Sequence, residues 1–231
     1  ADTVIEHLKV DCSGNPTTDG LFNIYANGND LTIGENVSTV PFPNAQYTPL
    51  PCIHAGGGSQ APEGITGGTI TVKSGAWEEI NAGSYNTLDG AELYLYGGVT
   101  VGYLEPSDAS NAEIHIVEGT AEKPTTIGRI YTDYYGKFLF SGLYIEDGGY
   151  LLLTGGDPGS SAIESAVEDL YIAEGSTLKA ESCTLEGAFT GNMTGGGTLM
   201  RPENVEAFHA GGGTIYFLDV PLAALQERLK N

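Results

Sequence analysis

Lysine and arginine together account for only 9 of 231 residues, against 30 aspartates and glutamates, for a formal net charge of −21 at pH 7. That imbalance argues against nucleic acid, whose binding rests on cations neutralising phosphates. It disfavours polyanionic sugars and anionic lipid surfaces for the same reason. Neutral sugars and divalent cations stay open, and the acid also serves to keep a secreted protein soluble. Cysteine is nearly missing: Cys12, Cys52 and Cys183 are too few for a disulfide framework and match no zinc spacing. A Cys12–Cys52 pair is compatible with a first coil folded beside the second, while Cys183 sits in an alternating stretch as a small buried residue would. No run of about 18 apolar residues exists, so no membrane-inserted helix is expected. The chain opens Ala1-Asp2-Thr3 without a charged and then apolar leader, so a signal peptide is absent or removed, or the chain is excised from something longer.

What the chain has is glycine, 34 residues of it, punctuating a repeated phrase. An aliphatic residue, any residue, a second aliphatic residue, two free positions and a glycine recur at Ile70-Val72-Gly75, Leu93-Leu95-Gly98, Ile114-Ile116-Gly119, Leu143-Ile145-Gly148 and Leu170-Ile172-Gly175. A sixth copy, Leu31-Ile33-Asn36, places asparagine in the glycine slot. Each phrase predicts a short strand with two inward side chains bracketing an outward one. The glycine or asparagine marks a turn with positive φ. A second phrase (apolar, variable, Ala, small turn residues) recurs at Ile24–Gly28, Ile53–Gly57, Ile80–Ser84 and Phe208–Gly212. Two phrases at similar intervals predict at least two strands per coil, and coils that stack on one another.

The fold expected is therefore all-β: one right-handed parallel β-helix spanning 1–231, of roughly eight coils, with handedness following that of parallel crossovers. At about 4.8 Å per coil the rod is about 40 Å long. Residues 1–20 form an N-terminal cap, a strand or short helix built on Val4, Ile5, Leu8 and Val10. The proline-rich segment 37–64 is expected as a loop insertion, with a smaller insertion at 119–125. Leu151-Leu152-Leu153 reads as a continuous apolar strand. Apolar residues at 222, 225 and 229 carry helical spacing behind Pro221, so 219–231 is expected as a C-terminal helix or cap.

This pattern resembles the right-handed parallel β-helix proteins, the pectin-lyase-like group that includes pectate lyases and polygalacturonases. Asn23–Gly28, Cys52–Gly58 and Gly67–Val72 are more similar still to the glycine-rich coils of large adhesin-like surface proteins of gut bacteria. The resemblance implies a bacterial, secreted or cell-surface location more than an activity. Hydrolases of the group carry paired aspartates, and lyases carry calcium-holding aspartates with an arginine base. This chain has no Asp-Asp pair and only Arg129, Arg201 and Arg228 as arginines. The expectation is a non-enzymatic, adhesin-like module binding carbohydrate or a host surface ligand. The alternatives are a polysaccharide lyase or hydrolase with an unrecognised site, and a purely structural stalk.

Two groups of residues are candidates for ligand binding. Tyr94, His115, Tyr144 and Tyr171 occupy the outward middle position of four successive phrases, so stacking places their rings in a ladder. Such a ladder is either architecture or a flat aromatic platform for sugar rings. Tyr131, Asp133, Tyr134 and Tyr135 combine aromatics with a carboxylate, a set suited to a neutral saccharide. No cofactor is expected. Calcium fits the acidity but has no motif: neighbours such as Glu78-Glu79 are expected on opposite strand faces, and no Gly-Gly-x-Gly-x-Asp repeat occurs. His54 and His209 share the alanine phrase and read as corner residues.

Overall fold

Inward aliphatic residues two apart make each phrase a strand with one apolar face. Such a strand buries that face by stacking against its own equivalent one coil away. The computed structural model describes residues 2–11, 22–40, 50–57, 63–83, 87–106, 109–131, 139–155, 163, 167–181 and 189–200, together with the backbone of three short strands beyond them. The first wall is an eight-stranded sheet of Thr3–Ile5, Leu31–Ile33, Thr69–Val72, Glu92–Leu95, Ala112–Ile116, Phe140–Ile145, Val167–Ile172 and Met193–Gly195, in that order and parallel throughout. The second wall stacks Asn23–Tyr25, Cys52–His54, Ala76–Asn81, Thr100–Glu105, Thr125–Ile130, Tyr150–Leu153, Thr177–Ala180 and Thr198–Met200 in the same way. Along the chain the strands of these two walls alternate, with Lys9–Asp11 paired to Ser38–Val40 and Ile65–Thr66 to Thr87–Asp89 in two small parallel sheets beside them, so the protein is a parallel β-solenoid.

Five levels are full turns with strands of four to six residues in both walls. They run from Thr69–Val72 with Ala76–Asn81 to Val167–Ile172 with Thr177–Ala180. Levels outside that stretch carry three-residue strands, so the well-formed solenoid is about five turns rather than the eight expected. Terminal levels have a neighbour on one side only, which leaves less of each strand to be paired.

The core is two sets of columns facing each other. Ile33, Val72, Leu95, Ile116, Ile145 and Ile172 stack in the first wall at 0 % exposure. In the second wall Ile53, Ile80, Leu104 and Ile130 do the same. Each such side chain contributes about 1.5–3 kcal/mol by leaving water. Gly75, Gly98, Gly148 and Gly175 turn the corner with φ between +78° and +96°, as the repeat predicts. Gly119 and Asn36 do not enter the left-handed region. At Gly119 the need is for space: a Cβ there would lie 3.1 Å from the backbone of Tyr150.

Several expectations change. Residues 37–64 are not one loop, because Ser38–Val40 pairs with Lys9–Asp11 and Cys52–His54 belongs to the second wall. The N-terminal segment contributes strands to the sheets, Thr3–Ile5 and Lys9–Asp11, and no helix among its described residues. The fourth alanine phrase does not stack: Phe208–Ala210 pairs antiparallel with Gly213–Ile215. Leu151-Leu152-Leu153 forms the strand expected of it, within Tyr150–Leu153, with Leu151 and Leu153 buried and Leu152 half-buried. Val220–Pro221 is a strand, antiparallel to Thr198–Met200, and residues 222–231 of the expected helix lie outside the described residues. Cys12 and Cys183 also lie outside them, while Cys52 is buried at 1 % exposure.

Candidate functional site

Outward positions on the first wall are set by the same alternation that buries the aliphatic pairs. Tyr94 is in register with His115, His115 with Tyr144, and Tyr144 with Tyr171. The His115 ring stacks on Tyr94 at 4.5 Å and 13°, and on Tyr144 at 4.9 Å and 19°. Those centroid distances match the rise of one coil, so parallel strands bring rings into contact without further adjustment. Tyr171 continues the column and is 38 % exposed.

Carboxylates flank this ladder. The Tyr94 hydroxyl donates to Glu92 Oε2 at 3.0 Å. His115 Nδ1 lies 2.7 Å from Glu146 Oε1, and its Nε2 lies 3.4 Å from Glu113 Oε2. Burial, followed by the hydrogen bond and charge of Glu92, pushes the Tyr94 phenol above its ordinary value. Tyr144 is pushed the same way, by burial first and then by Glu113 and Asp169. Gly142 makes room for the Tyr144 ring, since a Cβ there would lie within 2.6 Å of its hydroxyl.

Of the two readings left open by the sequence, a stacked ladder and a flat platform, the stacked ladder is what forms at His115. Both faces of its ring are covered, by Tyr94 and Tyr144, so the ladder offers ring edges, hydroxyls and carboxylates to solvent. Stacking satisfies the faces because rings one coil apart sit at van der Waals distance.

The second wall carries the other aromatic pairs. Tyr131 stacks on Tyr103 at 5.3 Å, with the Arg129 guanidinium 4.7 Å from the Tyr131 ring centre. Tyr131 therefore lies on a different wall from the Tyr94 ladder. Its expected companions Asp133, Tyr134 and Tyr135 lie outside the described residues. His54 stacks on Tyr25 at 4.8 Å, and burial lowers its pKa against the opposing pull of Glu79. His209 belongs to the backbone-only hairpin.

Glu78 and Glu79 do not face opposite ways. In Ala76–Asn81 the buried apolar residues are Trp77 and Ile80, three apart, which leaves both glutamates outside the core between them. The same spacing recurs one and two coils on, with Val101 and Leu104, then Ile127 and Ile130, all buried. The extra positions are Gly102 and Gly128. Together they floor a trough of about 230 Å3 bordered by Glu78, Thr100, Tyr103, Thr126 and Thr154. Burial raises the Glu78 pKa, with Glu79 adding to the rise and a hydrogen bond from the Leu50 backbone opposing it.

Sequence reasoning found the ladder but not its carboxylates. Glu92 and Glu113 were findable, because each sits two residues before a ladder ring and so on the same face. Glu146 reaches His115 from the next coil, and only the register shows it. The trough had a faint signal in Val101-Gly102-Tyr103-Leu104 and Ile127-Gly128-Arg129-Ile130, where apolar spacing changes from two to three. Among the described residues no group of three His, Cys, Asp or Glu side chains is placed to hold a metal ion. No family model matches the chain, and no curated protein or solved structure is significantly similar to it.

Proposed function

We propose that the chain is a non-enzymatic, secreted or cell-surface module of adhesin-like, bacterial type, a β-solenoid that holds neutral carbohydrate against its first wall. The observation that carries this reading is the registered column of Tyr94, His115, Tyr144 and Tyr171 edged by Glu92, Glu113 and Glu146. Carboxylates and phenol oxygens accept hydrogen bonds from sugar hydroxyls, and their repetition at one coil spacing suits a chain of repeated sugar units. The scarcity of cations favours neutral over anionic glycans. The pectin-lyase-like group supplies an architectural analogy, and the missing Asp-Asp pair argues against its hydrolytic chemistry.

A glycan array with the whole chain tests this reading. It is supported by a saturable hit that Tyr171→Ala weakens at least tenfold. Silence across the array would leave a structural stalk. Release of reducing ends or unsaturated products from a polysaccharide panel would replace the reading with an enzymatic one.

A further inference from the structure

We propose that the second wall carries a separate sugar site, the trough over Gly102 and Gly128, which seats one neutral pyranose ring. Plain alternation buries residues two apart, and the next level up does so with Leu151 and Leu153. The three levels below each insert one extra residue between their two buried apolar ones, Glu78, Gly102 and Gly128, of which Gly128 is itself buried.

At two of the three levels the extra residue has no side chain. A Cβ on Gly102 would lie 2.7 Å from the Glu78 carbonyl oxygen, and one on Gly128 would lie 2.5 Å from that of Gly102. The stacked carbonyls therefore require glycine, and the result is a depression floored by backbone. Thr100 and Thr126 border it along with Tyr103, while Glu78 and Thr154 complete the lining.

The lining names the ligand class. Glycine and threonine carbons give a largely apolar bed, and four hydroxyls, those of Thr100, Tyr103, Thr126 and Thr154, stand around it with one carboxylate. Among the described residues no lysine or arginine lines it, so an anionic ligand gains nothing from them there. An apolar bed with hydrogen-bonding groups at its border complements a sugar ring, which has an apolar C–H face and a girdle of hydroxyls. The volume of about 230 Å3 lies below the roughly 300 Å3 at which pockets for drug-sized ligands begin, which suits a single ring. The raised pKa of Glu78, caused chiefly by burial, fits a carboxyl held partly out of water where a sugar hydroxyl would replace that water.

The test is an NMR titration of the full chain, 15N-labelled at glycine, with methyl pyranosides of glucose, galactose, mannose and N-acetylglucosamine. Saturable shifts of the Gly102 and Gly128 amide signals with at least one probe are expected. Thr126→Phe, at an outward position, fills the trough and abolishes them. Thr126→Val weakens them roughly threefold to tenfold, the effect of one hydrogen bond, and decides the matter should the larger side chain disturb the fold. Absence of saturable shifts, or shifts unchanged in both variants, overturns the proposal. An array hit that falls with Tyr171→Ala, together with an absence of saturable Gly102 and Gly128 shifts, overturns the trough alone and leaves the first-wall reading standing.

Discussion

Thr125 is fully buried in the second wall, and its hydroxyl finds no hydrogen-bond partner among the described residues. Its neighbour in register is Leu151, so the side chain stands in an otherwise aliphatic column. An unpaired buried hydroxyl costs about 1–3 kcal/mol, and a methyl group of the same shape removes that cost. Thr125→Val is accordingly expected to stabilise the protein by roughly 1–2 kcal/mol. Urea denaturation should show a higher midpoint at unchanged slope, and a lower midpoint would sink the idea. His115 shows the opposite situation, a polar ring with every valence engaged. Its faces meet two tyrosines and its nitrogens meet two glutamates.

The ladder is an element-scale property, because no single strand contains it. It rests on backbone spacing and on one glycine. Gly142 leaves the space into which the Tyr144 ring lies back while stacking on His115. Gly142→Ala should push that ring off the stack at a cost of about 0.5–1.5 kcal/mol, the value of an aromatic pair. The readout is the His115 ring-proton signals, displaced in the wild type by the currents of two adjacent tyrosines. Unchanged His115 shifts in the variant would show that the ladder does not depend on this gap. The ladder and its flanking acids were partly legible, since Glu92-x-Tyr94 and Glu113-x-His115 place partners on one face. The covered ring faces were not, because ring orientation depends on what the coil above and below provides.

At the scale of the molecule, stability is a sum over neighbouring coils and no single centre dominates. Ile116 lies mid-column between Leu95 and Ile145 at 0 % exposure. Ile116→Ala is expected to cost about 2–5 kcal/mol. Amide hydrogen exchange should show protection falling first in Glu92–Leu95 and Phe140–Ile145, the strands that flank it, and an even loss across all strands would contradict the stacked-coil account. The sequence alone determined the all-β stacked architecture, the two columns of inward aliphatics and four of the left-handed corner glycines. Each is a local requirement that recurs at every coil and so writes a period. Only the tertiary structure decided that Glu146 meets His115, that the stacked rings cover each other's faces, and that Gly102 and Gly128 open a trough between threonines. Those depend on which residue of one coil lies over which residue of the next. That registry is set by packing across dozens of intervening residues, and no single stretch of the chain contains it.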